Sequence, residues 1–287
     1  MEYILHILIF MGIYGIAAAS FNLLIGYAGL FSLAHAAFFG VGAYSSALLT
    51  LRLDWPPLAA AAAGMAIAAI LSSVVALPSL RVSGDYLVVT SFGIQVLLYT
   101  VFLNWTGLTR GAMGLPGIPP ASLLGLQVTG HLGYVVLTLA ALAFTVWVLR
   151  RVVLSPFGRV LKGIREDEVA VEALGKHVYR FKVLAFVVAG SLASLGGSLF
   201  AHYVSFIDPY SFTLDESVFL LGSVIVGGTA TLRGPFVGAV ILVGIPELLR
   251  FVGLPQNVAA TVRQMLFGAL LVVFMRFRPQ GICGEQA

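Results

Sequence analysis

The chain has 287 residues, 60% of them hydrophobic and 10% charged, with a mean hydropathy of +1.02 and a formal net charge of +4. An ordinary soluble domain carries roughly 25% charged residues. Twelve acids and 16 bases cannot cover a 30.4 kDa globule in water, which excludes a soluble enzyme, a nucleic-acid binder and a disordered hub.

No Asp, Glu, Lys or Arg occurs at positions 3–51, and further charge-free windows run over 55–80, 86–109, 111–149 and 183–207. A crossing of the bilayer takes about 20 apolar residues. In lipid the backbone must be hydrogen-bonded within its own segment, so these windows are predicted as helices. Strands of roughly ten residues with alternating polarity are not seen. In chain order the predicted spans are 4–27, 29–51, 57–77, 84–103, 131–150, 183–203, 215–230, 235–251 and 259–276. The fold class is all-α: a polytopic membrane protein with about nine (8–10) transmembrane helices, some discontinuous, in one domain over 1–287 with a polar loop at 151–182.

Two stretches predict discontinuity. The segment 29–51 holds Gly29, Ser32, His35, Gly40 and Gly42, and 215–251 is interrupted by Gly227-Gly228, Gly234-Pro235 and Pro246. Broken helices usually line a pathway, because freed backbone groups need protein or water around them. Between 104 and 130, Gly107, Gly111, Gly114, Gly117 and Gly125 with Pro116, Pro119 and Pro120 punctuate the chain too heavily for a helix. That stretch fits either a docking site that uses Arg110 or an ordinary linker. The glycines in Ala189-Gly190-Ser191 and Gly196-Gly197-Ser198 predict close helix contact. Cys283 is the single cysteine, so neither an intrachain disulfide nor a cysteine metal site is expected. Met1-Glu2-Tyr3 lacks the positive flank of a cleavable signal peptide, and the first apolar stretch is expected to be retained.

Basic residues set the orientation. Eight of the 16 lie between Arg150 and Lys182, so that loop is expected in the cytoplasm. Counting spans outward from it puts Arg81, Arg233, Arg276 and Arg278 inside as well, and leaves Arg52, Arg110, Arg250 and Arg263 outside. The N-terminus is then outside and the C-terminus inside.

Within the loop, Ser155-Pro156-Phe157-Gly158-Arg159 opens and Tyr179-Arg180-Phe181-Lys182 closes. The run 165–175 between them is predicted as a helix of two to three turns. Glu166, Asp167 and Glu168 suit its positive end, Gly175 the left-handed cap, and Lys176 the negative end. Val169, Ala173 and Leu174 form one small apolar face, with Glu168 and Glu172 four apart. A short amphipathic helix of this kind suits docking into a partner's groove; a solvated loop obeying the positive-inside rule fits the same residues. No GxxxxGK[ST] motif occurs in the chain, so any ATP that drives it is hydrolysed by another polypeptide.

The run 165–175 with Ser155-Pro156-Phe157-Gly158-Arg159 resembles the permeases of branched-chain amino-acid ATP-binding-cassette importers. So do the glycine-rich stretch 29–44, Leu80-Arg81-Val82-Ser83-Gly84-Asp85-Tyr86-Leu87, residues 104–114, the run 227–235 and Arg278-Pro279-Gln280-Gly281, in order over nearly the whole chain. Two positions depart from the family pattern. Gln95 stands where a carboxylate is frequent, and Thr109-Arg110-Gly111-Ala112-Met113-Gly114 replaces a Thr-Gly-Gly-x-Asn-Gly run. The resemblance implies a multi-pass permease subunit in a bacterial cytoplasmic (inner) membrane, without catalytic residues or a bound cofactor or metal of its own. It also implies a second related permease, two ATP-binding subunits that use ATP, and an extracytoplasmic substrate-binding protein. Arg165, Glu166, Asp167, Glu168, Glu172 and Gly175 would then form the ATPase-coupling element. Related permeases also serve urea and amides.

Candidates along the pathway are Asn22, Ser32, His35, Tyr44 and Gln95. For each, hydrogen bonding between packed helices is the competing role. His6, His131, His177 and His202 share no metal-ligand spacing. Asp85 is expected at the cytoplasmic end of a span, Asp208, Asp215 and Glu216 in an outer loop, and Glu247 near an outer end paired with Arg250. No acid is therefore expected at mid-depth, where ion-coupled carriers need a relay or cation site. An ion-coupled secondary transporter of small polar solutes is the alternative, predicting uptake without ATP. An intramembrane enzyme would need a set such as GxSxG or HExxH, and neither occurs.

Overall fold

The computed structural model describes residues 2–79, 85–123, 126–128, 130–250, 256–277 and 281–284. The first apolar runs fold as α1 (Glu2–Asn22), prolonged by a π-helical turn (Leu23–Tyr27), then α2 (His35–Leu53), α3 (Pro57–Ser79) and α4 (Asp85–Asn104). The punctuated outer segment forms α5 (Thr106–Thr109), a 3-10 turn (Gly111–Met113) and the strands β1 (Leu115–Pro116), β2 (Ser122–Leu123) and β3 (Leu126–Gln127). Next come α6 (His131–Leu154), α7 (Pro156–Glu166), α8 (Glu168–Ala173), α9 (Val178–Val204), β4 (Phe206–Ile207), a 3-10 turn (Pro209–Phe212), α10 (Leu214–Gly227), α11 (Gly234–Arg250) and α12 (Gln256–Phe277).

Among the described residues, α1 with its π turn, α2, α3, α4, α6 and α9 are long and apolar enough to cross a membrane. The chain is a multi-pass α-helical membrane protein. Each predicted segment overlaps one helix, and three details differ. The second helix starts at His35 and not at 29, because Gly29 takes a φ of +68° and residues 29–34 form a non-helical link. Pro246 does not end α11, which continues to Arg250. The outer segment contains a one-turn helix and two short antiparallel ladders, β1 with β4 and β2 with β3.

α9 sits at the centre, packed on α1, α2 and α3. Small residues let these backbones touch: a β-carbon on Gly197 would lie 1.8 Å from the Phe39 carbonyl oxygen, and one on Gly42 2.1 Å from that of Ser194. Ile9, Ile13, Ile16, Phe38, Phe39, Phe186 and Phe212 fill the core around this crossing.

Contacts sort the connections onto two sides. On one, Arg165 donates to the Gly26 carbonyl, and Asn22 reaches the turn before α11. There too, the amides of Ile282 and Cys283 donate to the Val226 and Gly227 carbonyls at 3.0 and 2.9 Å. These tail amides satisfy carbonyls that the end of α10 would otherwise leave unpaired. On the other side, Tyr3 donates to Glu247, Arg52 donates to the Gly107 carbonyl at 2.7 Å, and His6 Nδ1 lies 2.6 Å from the Tyr203 hydroxyl. The basic loop and Arg233 belong to the first side, Arg52 and Arg110 to the second. Arg81 and residues 278–280 lie outside the described residues, as do the side chains of Arg250 and Arg263.

Candidate functional site

The polar loop is built from two helices, not one. Pro156 occupies the first turn of α7, and Ser155 Oγ accepts from the Gly158 amide at 3.4 Å. Leu161 and Ile164 turn inward, and Phe157 stacks on Phe181 with ring centroids 5.4 Å apart. At Asp167 the backbone becomes extended (φ −154°) and the carboxylate accepts from the Ala170 amide at 3.0 Å. An aspartate in extended backbone that caps the next helix cannot also sit inside one. The predicted helix 165–175 is thus divided: Arg165 and Glu166 end α7, Glu168 and Glu172 belong to α8, and Gly175 closes the unit with a φ of +75°.

This division separates the predicted coupling residues by direction. Glu166, Asp167 and Glu172 are exposed and make no ion pair among the described residues. Val169 and Leu174 are 74% and 78% exposed, while Val171 is buried beside Gly163. Arg165 and Glu168 point back to the membrane helices. Arg165 bonds the Gly26 carbonyl in the π turn, and Glu168 accepts from Lys182 Nζ at 2.6 Å. The lysine side chain is 7% exposed and the glutamate 40%. Between loop and helices lies a cavity of about 300 Å³, whose lining includes Gly29, Ser32, Val88, Arg165, Glu168 and Lys182.

The predicted pathway residues are all buried, and three of them join distant segments. Asn22 Nδ2 donates to the Thr231 carbonyl at 2.8 Å, and its Oδ1 accepts from the Ala230 amide at 3.1 Å, holding the turn before α11 against α1. Gln95 Oε1 accepts from the Ala37 amide at 2.9 Å while Nε2 donates to the Phe212 carbonyl at 2.8 Å. A carboxylate at 95 has no donor for that carbonyl, which is why an amide suits this chain. His35 opens α2 with Nε2 at 2.9 Å from Ser20 Oγ and 3.2 Å from the Ala17 carbonyl, and its ring stacks on Phe21 at 4.4 Å. Ser32 Oγ accepts from the Ala34 amide within the helix break. Tyr44 stacks on Phe102 at 4.7 Å, and its buried hydroxyl has no hydrogen-bond partner among the described residues.

Ser217 carries no signal in the sequence. Its hydroxyl accepts from the Ala36 amide at 3.0 Å and donates to Gln95 Oε1 at 3.4 Å, joining α2, α4 and α10. A serine in an apolar run gives no sign of partners 181 and 122 positions away. Asp215 and Glu216, expected in an outer loop, lie instead in the first turn of α10. After α9 the chain turns back into the protein, Phe212 packs on Gly40, and Phe219, three residues after Glu216 in α10, meets the ring of Tyr14, halfway along α1, at 5.3 Å. Glu247, near the outer end, accepts from Tyr3; its predicted partner Arg250 has its side chain outside the described residues.

Known proteins share this sequence over most of its length. The family described as branched-chain amino acid transport system / permease component matches residues 3–275. The chain is 32% identical over 301 residues to the high-affinity branched-chain amino acid transport system permease protein LivM of Escherichia coli strain K12, covering 94% of this chain and 67% of that protein. It is 25% identical over 298 residues to the permease protein LivH of the same system and organism, covering 95% and 91%. It is also 31% identical over 177 residues to the autoinducer 2 import system permease protein LsrC of Klebsiella pneumoniae, covering 58% and 49%. No solved structure matches the chain.

Proposed function

Because the chain belongs to the family of branched-chain amino acid transport permease components, we propose that it forms one half of an importer's transmembrane pathway for branched-chain or similar amino acids. It works in a bacterial inner membrane beside a second, related permease. An outer binding protein delivers the solute and two separate ATPase subunits supply the energy. The whole chain acts as one permease domain with the loop 151–182 in the cytoplasm. Counting α10, α11 and α12 with the six longer helices gives nine passes, N-terminus outside.

The observation that carries this reading is the two-faced loop. α8 offers Val169, Leu174 and unpaired acids outward, while Arg165 and the Glu168–Lys182 pair tie the same loop to the ends of α1 and α9. An ATPase groove that grips α8 therefore pulls directly on helix ends. Arg165 moves the π turn, and through Asn22 the turn between α10 and α11 moves with it. The break at 29–34 and the cavity behind it give those ends room to shift.

The test is co-purification and uptake in the reconstituted assembly. Replacing Val169 and Leu174 with Asp and Glu172 with Arg should remove the ATPase subunits from the complex while membrane insertion persists. Unchanged co-purification would refute the docking role. Uptake by the purified chain alone, under a sodium or proton gradient and without ATP, would favour the secondary carrier and defeat the proposal.

A further inference from the structure

The mid-depth acids lie on the first turn of α10, and their position is fixed by three contacts. Ser217 reaches the start of α2 at the Ala36 amide, Phe212 packs against Gly40 and Tyr44, and Phe219 meets the Tyr14 ring at 5.3 Å. At 1.5 Å per residue, Tyr14 is about 18 Å below the first residue of α1, near the middle of the hydrocarbon. Asp215 is exposed there, with no hydrogen bond or ion pair among the described residues. One oxygen of Glu216 is buried and has no hydrogen-bond partner among them.

Such a pair cannot face lipid. A carboxylate at the centre of a membrane helix costs about 2.5–3.5 kcal/mol at the least, and two adjacent ones repel. The dipole of α10 offsets only part of this. The surface that carries Asp215 must therefore meet a protein wall or water, and the unpaired Glu216 oxygen calls for a donor, which a cation supplies together with the counter-charge. Lys182 and Arg165 are engaged with Glu168 and Gly26. From the outer side, partly exposed rings lead down to the acids. Tyr203 meets Phe10 at 5.7 Å, Phe10 meets Tyr14 at 6.3 Å, and Tyr14 meets Phe219 at 5.3 Å. Ring faces attract an ammonium and ring edges bury an aliphatic chain.

We propose that Asp215 and Glu216 bind the α-ammonium group of the transported amino acid at mid-depth, with its apolar side chain against Tyr14 and Phe219 and the second permease closing the face. The site rests on the reading of this chain as an amino-acid permease and adds the group that recognises the charged end of the solute. A zwitterion paired here crosses the membrane centre with its positive end neutralised. A cationic side chain of the partner permease, or a sodium ion, would satisfy the same acids and is separated by the test.

The experiment uses the full assembly in proteoliposomes, first with the natural chain and then with Glu216→Gln, Asp215→Asn and Asp215→Cys in a Cys283→Ser background. Glu216→Gln should lower ATP-driven leucine uptake by about tenfold or more, the effect of losing one charge-assisted hydrogen bond. The Asp215→Cys thiol, on an exposed position where folding is undisturbed, should react with an ethylammonium thiosulfonate, and leucine should slow that reaction. The amine-free 4-methylpentanoate should not. Normal uptake by Glu216→Gln, or labelling that leucine leaves unchanged, overturns the site. Loss of the second permease on purification of Asp215→Asn shows that the acids hold a partner cation and likewise overturns it, as does protection by sodium in place of leucine. A natural assembly that takes up no amino acid at all overturns the parent reading before any variant is compared, and this site with it.

Discussion

Replacing Glu168 with glutamine leaves the Lys182 ammonium, 7% exposed, without its counter-charge at the inner ends of the helices. An exposed ion pair contributes about 0–1 kcal/mol, and breaking a fully buried one costs about 3–5 kcal/mol. Glu168 is 40% exposed, so part of its charge is already solvated and the pair falls between these limits. We expect a coupling energy of about 1–3 kcal/mol, a shift of roughly 5- to 150-fold in the equilibrium between tied and released loop. The measure is a double-mutant cycle over Glu168→Gln and Lys182→Met, read both as thermal stability and as solute moved per ATP hydrolysed. Each single change should lower both quantities, and the double change should recover part of the loss, because methionine removes the orphaned charge. Effects that add within about 0.3–0.5 kcal/mol would mean that the two residues act independently and that the loop is not held by this pair.

Three further outcomes rest on particular contacts. Gly197→Val should abolish the folded protein or cut its detergent melting temperature sharply, since even a β-carbon there would stand 1.8 Å from the Phe39 carbonyl; a monodisperse variant of normal stability would contradict the α2–α9 crossing. Gln95→Glu should cost about 1–3 kcal/mol by orphaning the Phe212 carbonyl, which its Nε2 now serves; thermal unfolding of the purified chain checks this, and an unchanged midpoint refutes the bond. With Cys283 replaced by serine, a cysteine at 110 should react with a membrane-impermeant reagent added from outside and one at 170 should not, and the reverse pattern would invert the orientation.

The helices were legible because an apolar chain in lipid has few ways to satisfy its backbone, and charge-free windows report that constraint directly. That α9 makes a close crossing was legible for a related reason, though not that α2 is its partner: Gly196-Gly197 in a membrane helix has little use other than close approach. The bonds that join the helices were not legible. Asn22 meets Ala230 across 208 positions and Gln95 meets Phe212 across 117, and periodicity says which face a residue occupies but nothing of the surface that face touches. The loop was half legible. Glu166-Asp167-Glu168 reads equally as three acids in a first turn or as one cap flanked by two others. Asp167, in extended backbone with its carboxylate on the Ala170 amide, takes the second form and sends Arg165 and Glu168 inward.

The acids of α10 were misread for a reason that lies in arithmetic already present in the sequence. Sorting residues into inner and outer loops assumes that every apolar run crosses the whole membrane. α10 has 14 residues, about 21 Å at 1.5 Å per residue against about 30 Å of hydrocarbon. A helix that short, ending on the inner side at Gly227, has to begin inside. The polar residues just before and within its first turn are therefore lowered with it by about 9 Å from the membrane boundary. Thr213, Asp215 and Glu216 sit there because residues 205–213 lead back from the end of α9 through the two-residue β4 and a 3-10 turn, non-α-helical backbone that Asp208 and Gln95 satisfy in part through the Ser211 amide and the Phe212 carbonyl. Irregular backbone at this depth is tolerated only where protein or water surrounds it. A short span flanked by acids thus points to a pathway wall, and the absence of mid-depth charge is no argument against ion coupling in this chain. The two energy sources are separated at the polar loop, where α8 presents an apolar face with no partner among the described residues while Arg165 and Glu168 fasten it to the helices that would have to move.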